Sequence, residues 1–275
     1  MENDEMKNTV LITGASAGLG EEFAWQLAEQ GFNLLLVARR TERLSTVQRN
    51  ISIKYPSVSC LVLSVDLNEA DALATLVNFV SLQKIELTGL INNAGFGIRG
   101  EFYALPANRQ RELLQVNINA LTMLSHAFIP HLTATSIAVH NNKIPHSQGV
   151  QAVPFIINVA STAAFQAGPN LALYYASKAF VLSFSEALHE ELKGKIQVSA
   201  LCPGATKTEF AEVARMSNSL VFKLRVMDKK AVVSYALKKR GKAIVIPGLM
   251  NKIGVIAVKL LPRFITRKLA YQIQK

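Results

Sequence analysis

Only two cysteines and a single tryptophan occur in the chain, and no apolar run is long enough to span a bilayer. Each scarcity closes off a class of protein. Cys60 and Cys202 both sit in apolar, strand-like runs (SCLVLSV and VSALCPG), which excludes a disulfide scaffold, and a structural zinc site with it, and favours a reducing compartment. The most apolar stretch, residues 253–261, is interrupted by Lys259 and stops at Pro262, short of the roughly 20 apolar residues a spanning helix needs. The first ten residues, MENDEMKNTV, lack the basic start and apolar centre of a signal peptide, so a cytoplasmic location is expected. Acid is scarce at one end only. The formal charge of +11 resolves into −3 over residues 1–137, zero over 138–214 and +14 over 215–275, where Asp228 is the one acidic side chain. Such a block attracts nucleic acid, anionic lipid or an acidic carrier, or else is a solvated, solubilising face.

With 275 residues, 50% of them hydrophobic, the chain can bury a full core as one large domain. Short β-branched and leucine-rich runs alternate with segments of helical period, the pattern of an α/β, doubly wound parallel sheet. Seven strands are predicted, at residues 9–13, 33–38, 57–65, 89–92, 154–159, 197–201 and 243–246; most are apolar on consecutive residues, as strands covered on both faces are. Phe23, Leu27 and Ala28 form one helical stripe; Val181, Leu182, Ser185, Leu188 and Leu192 form another. Residues 133–153, polar and without clear period, read as a surface loop.

Thr13-Gly14-Ala15-Ser16-Ala17-Gly18-Leu19-Gly20 follows the first strand and opens the first helix. Glycines there allow a sharp turn and close approach of a pyrophosphate, and the helix start offers unpaired N–H groups. A nucleotide site of Rossmann type is expected. At the end of the second strand, where a carboxylate would take the ribose hydroxyls of NAD, the sequence reads Val37-Ala38-Arg39-Arg40, with Arg43 beyond. Guanidinium groups suit a 2′-phosphate, so NADP(H) is the expected cofactor, Arg39 the first choice for the contact and Arg40 the second.

Tyr174 and Lys178, four residues apart on one helix, share a face, and a cation beside a phenol favours its ionised form, useful in a general acid or base. Tyr175 points about 100° away and is the poorer candidate. Ser161 ends an apolar strand at the carboxyl edge of the sheet, where its hydroxyl can donate to a carbonyl oxygen.

Taken in order, TGASAGLG, Asp66, Asn92-Asn93-Ala94-Gly95, Asn117, Ser161, Tyr174-x-x-x-Lys178 and Pro203-Gly204 with Thr208 resemble the short-chain dehydrogenase/reductase family over residues 8 to about 210. The resemblance implies that Asp66 approaches adenine, that Asn93, Ala94 and Gly95 line the adenosine side, and that Pro203, Gly204, Thr206 and Thr208 hold the nicotinamide end. It also implies that Asn117 distorts its helix to bind a water linking Lys178 to solvent, and that the chain forms a dimer or tetramer. The VARR turn and the C-terminal segment are similar to those of the 3-ketoacyl and hydroxysteroid reductase branch.

The expectation is thus a single Rossmann-type domain over residues 1–275, with a substrate lid at 209–230 (Phe210, Met216, Leu220, Phe222 and Leu224 as its apolar wall) and a basic amphipathic extension at 248–275. The expected activity is NADP(H)-dependent reduction of an apolar ketone, aldehyde or 3-ketoacyl group, Tyr174 acting as acid/base. NAD-dependent alcohol oxidation and a non-catalytic nucleotide-binding scaffold stand as alternatives. Beyond Pro262, Ile265, Leu269 and Ile273 recur every four residues among Arg263, Arg267, Lys268 and Lys275, so the tail either lies on an anionic membrane or docks on protein. The basic block lacks interleaved exposed aromatics or a recognised binding motif, so no nucleic-acid partner is expected.

Overall fold

The computed structural model describes residue 6 and residues 8–140, 153–210 and 226–274. Seven strands, β1 (Thr9–Thr13), β2 (Asn33–Ala38), β3 (Cys60–Ser64), β4 (Leu87–Asn92), β5 (Phe155–Val159), β6 (Gln197–Leu201) and β7 (Ile244–Val245), form one parallel sheet in the order β3-β2-β1-β4-β5-β6-β7. Each expected strand is present; β3 starts at Cys60, later than read, and β4 at Leu87, earlier. The order reverses between β1 and β4, which opens a crevice at their carboxyl ends.

Alternate residues of one strand feed opposite layers. From β1, Val10 and Ile12 join one buried cluster with Phe23 and Leu27 of α1 (Gly18–Glu29) and Leu44 and Ile51 of α2 (Thr41–Lys54). Leu11 faces the other way, into a cluster with Leu76 and Val80 of α3 (Ala72–Leu82), Leu124, Phe128 and Leu132 of the fifth helix and Leu188 of the sixth. This two-sided burial is why the strands read as continuous apolar runs.

After α4 (Ala107–Leu114) the chain passes through one π-helical stretch, Gln115–Ala120, into α5 (Leu121–His140). Residues 133–140 therefore belong to a helix and not to the loop read from the sequence, whose remaining residues up to 152 lie outside those described. The polar threonines misled the reading: Thr133 Oγ1 donates to the Ile129 carbonyl (2.9 Å), and Thr135 Oγ1 to the carbonyls of His131 (3.2 Å) and Leu87 (2.9 Å). Helix α6 (Ala172–Glu191) buries Val181, Leu182, Ser185 and Leu188, the stripe expected of it. Among the described residues, α7 (Lys229–Lys239), α8 (Leu249–Leu260) and α9 (Arg263–Gln274) follow at the C-terminal end. Among the described residues no helix is long and apolar enough to cross a membrane.

Gly89 of β4 lies under the ring of Phe155 from the neighbouring strand, and a Cβ there would meet Phe155 Cζ at 2.6 Å. Gly89→Ala should overpack this fully buried site by about 1–3 kcal/mol and lower the midpoint by roughly 2–4 °C for each kcal/mol, measured by thermal unfolding. An unchanged midpoint would show that the ring moves aside freely.

Candidate active site

The phosphate loop is held by a clamp across the crevice. Thr13 Oγ1 accepts from the backbone N–H groups of Asn93 (3.0 Å) and Ala94 (3.0 Å), and Asn93 Nδ2 donates back to the carbonyls of Thr13 (2.9 Å) and Gly14 (3.2 Å). So close an approach leaves no room for side chains. A Cβ on Gly14 would lie 2.8 Å from Asn93 Nδ2, and one on Gly20 would lie 2.3 Å from the Gly14 carbonyl oxygen. Gly14 (φ +65°) and Gly18 (φ +63°) are also in the left-handed region that favours glycine. No side chain caps the start of α1, so its first N–H groups are left for an anion.

Beside the loop, Arg40 Nε and Nη2 each donate to Ser16 Oγ at 3.2 Å. Its Nη1 meets Glu209 Oε2 at 2.9 Å, and Arg43 pairs with the other oxygen of the same carboxylate. Arg40 and Arg43 hold the Glu209 carboxyl below the usual range. Arg39 turns instead to Asp66, 3.5 Å away. Both arginines line the cleft, and Arg40 is the one hydrogen-bonded to the phosphate loop.

At the other end of the cleft, Ser161 follows β5, accepts from the Ala163 N–H (3.1 Å) and so caps a short 3₁₀ turn, Thr162–Phe165. The Tyr174 phenol lines the same cleft, and Ser161 acts to lower its pKa. Lys178, one turn along α6, is buried and donates to the Val159 carbonyl at 2.7 Å, with its Nζ 5.9 Å from the Tyr174 ring centroid. Burial lowers the ammonium to about 8. Burial likewise pushes the Tyr174 phenol above its ordinary value, against the opposing effect of Ser161. Desolvation thus outweighs the cation effect read from sequence, and the phenol is protonated at neutral pH. Cys202, buried nearby at the end of β6, has its thiol pushed up to about 12, chiefly by burial.

Asn117 lies in the π-helical stretch, fitting the expected distortion. Its side chain accepts from the Phe96 N–H (3.1 Å) and donates to the Phe96 carbonyl (3.0 Å) and Ser177 Oγ (3.1 Å). A Cβ on Gly95 would be 3.1 Å from Asn117 Oδ1 and 3.4 Å from Lys178 Nζ, so all three residues meet at one point.

One cleft of about 590 Å³ runs between these ends. Gly14, Ser16, Gly18, Leu19, Arg39, Arg40 and Asp66 line it, as do Asn93, Ala94, Gly95, Ser161, Tyr174 and Lys178, with Pro203, Gly204, Thr206 and Thr208 closing one side. Gly20 and Asn117 support it from outside that lining. Phe210, the first residue of the expected apolar wall, packs its ring 5.3 Å from that of Tyr174; Met216, Leu220, Phe222 and Leu224 lie outside the described residues. Tyr175, the poorer acid/base candidate, also faces the cleft, and sequence reasoning missed Phe96, Phe165 and, on α8, Met250, Asn251, Gly254 and Val258, which line it too. Only Met-Asn-x-x-Gly hinted at a special face on that helix.

Residues 8–218 match the sequence profile of the short chain dehydrogenase family. The chain belongs to that family. A relative from Vanderwaltozyma polyspora named very-long-chain 3-oxoacyl-CoA reductase is 33% identical over 86% of the chain and 64% of its own length. One from Arabidopsis thaliana, 11-beta-hydroxysteroid dehydrogenase 1A, is 30% identical over 74% of the chain and 53% of its own length, so the chain spans about half to two-thirds of these relatives. Among solved structures, a short-chain dehydrogenase from Sphingobium yanoikuyae in complex with NADPH is 30% identical, with TM-score 0.76 over 91% of both chains. A bulky-bulky ketone specific alcohol dehydrogenase from Comamonas testosteroni is 29% identical, with TM-score 0.70 over 93% of this chain and 95% of its own.

The depressed Lys178 gives the short-chain dehydrogenase a pH signature. Between about 8 and the ordinary 10.5 the unfolded chain holds a proton that the folded chain has released, so stability relative to a variant without the amine rises with pH across that window. Below it, both states are charged and the burial penalty is constant. Urea titrations of wild type and Lys178→Met should therefore differ by an amount that shifts by on the order of 1–3 kcal/mol between neutral pH and the top of the window. A pH-independent difference would mean that the ammonium is not desolvated.

Proposed function

We propose that this dehydrogenase reduces an apolar carbonyl compound with NADP(H), Tyr174 delivering the proton to the oxygen. The observation that carries the reading is the single cleft joining a glycine loop flanked by Arg40 and Ser16 to a buried Tyr174 that lines the same wall as Ser161 and Lys178. The cradle fits a dinucleotide, because Gly14 and Gly20 leave free what a Cβ would fill and the start of α1 is uncapped. When bound, that cofactor supplies the hydride. Ser161 orients the substrate oxygen, and Tyr174, kept neutral by burial, gives up its proton. The Lys178 charge offsets the phenolate that forms, and its bond to Val159 fixes where that charge sits.

A neutral acid at working pH favours reduction over oxidation. Phe96, Phe165, Tyr175 and Phe210 form an apolar wall suited to a ketone or acyl chain, in keeping with relatives named for 3-oxoacyl-CoA and bulky ketones. Ser16 and Arg40 form the proposed 2′-phosphate contact, and Glu209 is a carboxylate that competes for the same guanidinium groups.

Two sets of variants test this. Tyr174→Phe should keep NADPH affinity while turnover falls by about 10²–10⁴-fold, measured with a panel of apolar ketones; unchanged turnover would end the mechanism. In titrations with NADPH and NADH, Arg40→Ala should remove a preference for NADPH, and Glu209→Gln should tighten NADPH alone. Equal binding of both cofactors by wild type would defeat the phosphate assignment.

A further inference from the structure

Helix α8 is apolar on two opposite sides, and the described residues cover only one. Asn251, Gly254, Val255 and Val258 face the cleft. Leu249, Ile253, Ile256 and Leu260, spaced by four, three and four residues, form a stripe on the far side and are 71%, 48%, 56% and 80% exposed. A helix on the surface of a globular protein turns polar residues outward; one that is apolar all round is covered on every side. The stripe continues past Pro262, where Phe264 and Leu269 of α9 are 55% and 45% exposed.

Cations border this apolar strip. Lys252 and Lys259 are held at one side of it, the first donating to the Tyr235 hydroxyl at 2.9 Å and the second over the ring of Phe165 at 5.1 Å, while Arg263, Arg267 and Lys268 follow on α9. No acidic residue occurs in the sequence after Asp228.

We propose that the outer face of α8 and α9 docks this protein on an anionic bilayer surface. Apolar side chains enter the boundary between headgroups and acyl chains while lysines and arginines meet the lipid phosphates, the arrangement of an interfacial amphipathic helix. Charge decides between this occupant and a second copy of the chain. Pairing the face with itself would set the same five cations against one another with no acid between them, whereas anionic lipid complements them. Docking also brings the cleft to the lipid, because Met250, which lines the cleft, is itself 51% exposed beside the stripe. An apolar carbonyl compound carried in the bilayer would then reach Tyr174 along α8. That consequence rests on the reductase reading; the docking does not.

The test is co-sedimentation of the full chain with vesicles of phosphatidylcholine alone and with one third phosphatidylglycerol. Wild type should partition at least about tenfold better onto the anionic vesicles and lose that advantage at high salt. Ile256→Asp/Leu260→Asp and Arg263→Glu/Arg267→Glu/Lys268→Glu should each lower the partition by about tenfold or more while binding NADPH as wild type does. Absence of an anionic preference in wild type, or variants that partition like wild type, would overturn the proposal. So would a lipid-free dimer, seen by light scattering, that Ile256→Asp/Leu260→Asp disperses, since the face then belongs to a second copy. Wild-type partition and its salt dependence decide the matter should the apolar variant fail to fold. Vesicle binding without NADPH binding in wild type would overturn the reductase reading and leave the docking standing.

Discussion

The cleft depends on the clamp between Thr13 and Asn93. β1 and β4 are paired side by side as far as Ile12 and Ile91, and beyond those residues the sheet ladder no longer sets the separation of the two loops. The Thr13 hydroxyl and the Asn93 amide do so with four hydrogen bonds in both directions. The glycines follow as a necessity. With Asn93 Nδ2 this close, Gly14 and Gly20 have no space for a Cβ, and the loop must turn through left-handed φ at Gly14 and Gly18. The uncapped start of α1 is then presented at a defined distance from Ser161 and Tyr174 at the other end of the cleft.

Burial tunes the chemistry at that other end. It holds the Tyr174 phenol protonated and brings the Lys178 ammonium towards neutrality, so burial moves apart two groups that titrate close together in water. The surrounding polar groups are fixed before any ligand arrives. Asn92 Nδ2 donates to Ser125 Oγ (3.1 Å) and Asn158 Oδ1 (2.8 Å), and Asn158 Nδ2 donates to Ser185 Oγ (2.9 Å), tying β4 and β5 to the helices that carry Asn117 and Lys178 into the site. Such preorganisation lowers the cost of ordering the site when substrate binds.

Legibility in the sequence tracked the range of the interaction. The seven strands, the glycine turn and the Tyr174–Lys178 pair are written in neighbouring residues, and each was readable from period or spacing. Residues 133–140 of α5 read as loop in the sequence because a run of threonines looks polar until their hydroxyls are seen to bond within the helix. The sign of the Tyr174 shift was misjudged because spacing along a helix carries the cation's proximity but not the burial that opposes it. Glu209 was read as the first residue of a lid. Its partnership with Arg40 and Arg43 spans more than 160 positions, and no local pattern encodes it. The same holds for Met250 and Gly254, whose place on the cleft is decided by tertiary packing alone.

Helix α8 joins these themes. Its inner face needs small and apolar residues to leave a channel beside Tyr174: Gly254 has open space where a Cβ would stand, and a Cβ on Gly204 would lie 2.4 Å from Asn251 Oδ1. Those demands account for half of the helix. They do not account for Leu249, Ile253, Ile256 and Leu260, which contribute nothing to the cleft and each carry an unfavourable exposure to water. An anionic surface with an apolar layer beneath it would remove that cost and meet the flanking cations at once. The wall of the substrate cleft and the surface from which an apolar substrate would come are then two faces of one helix.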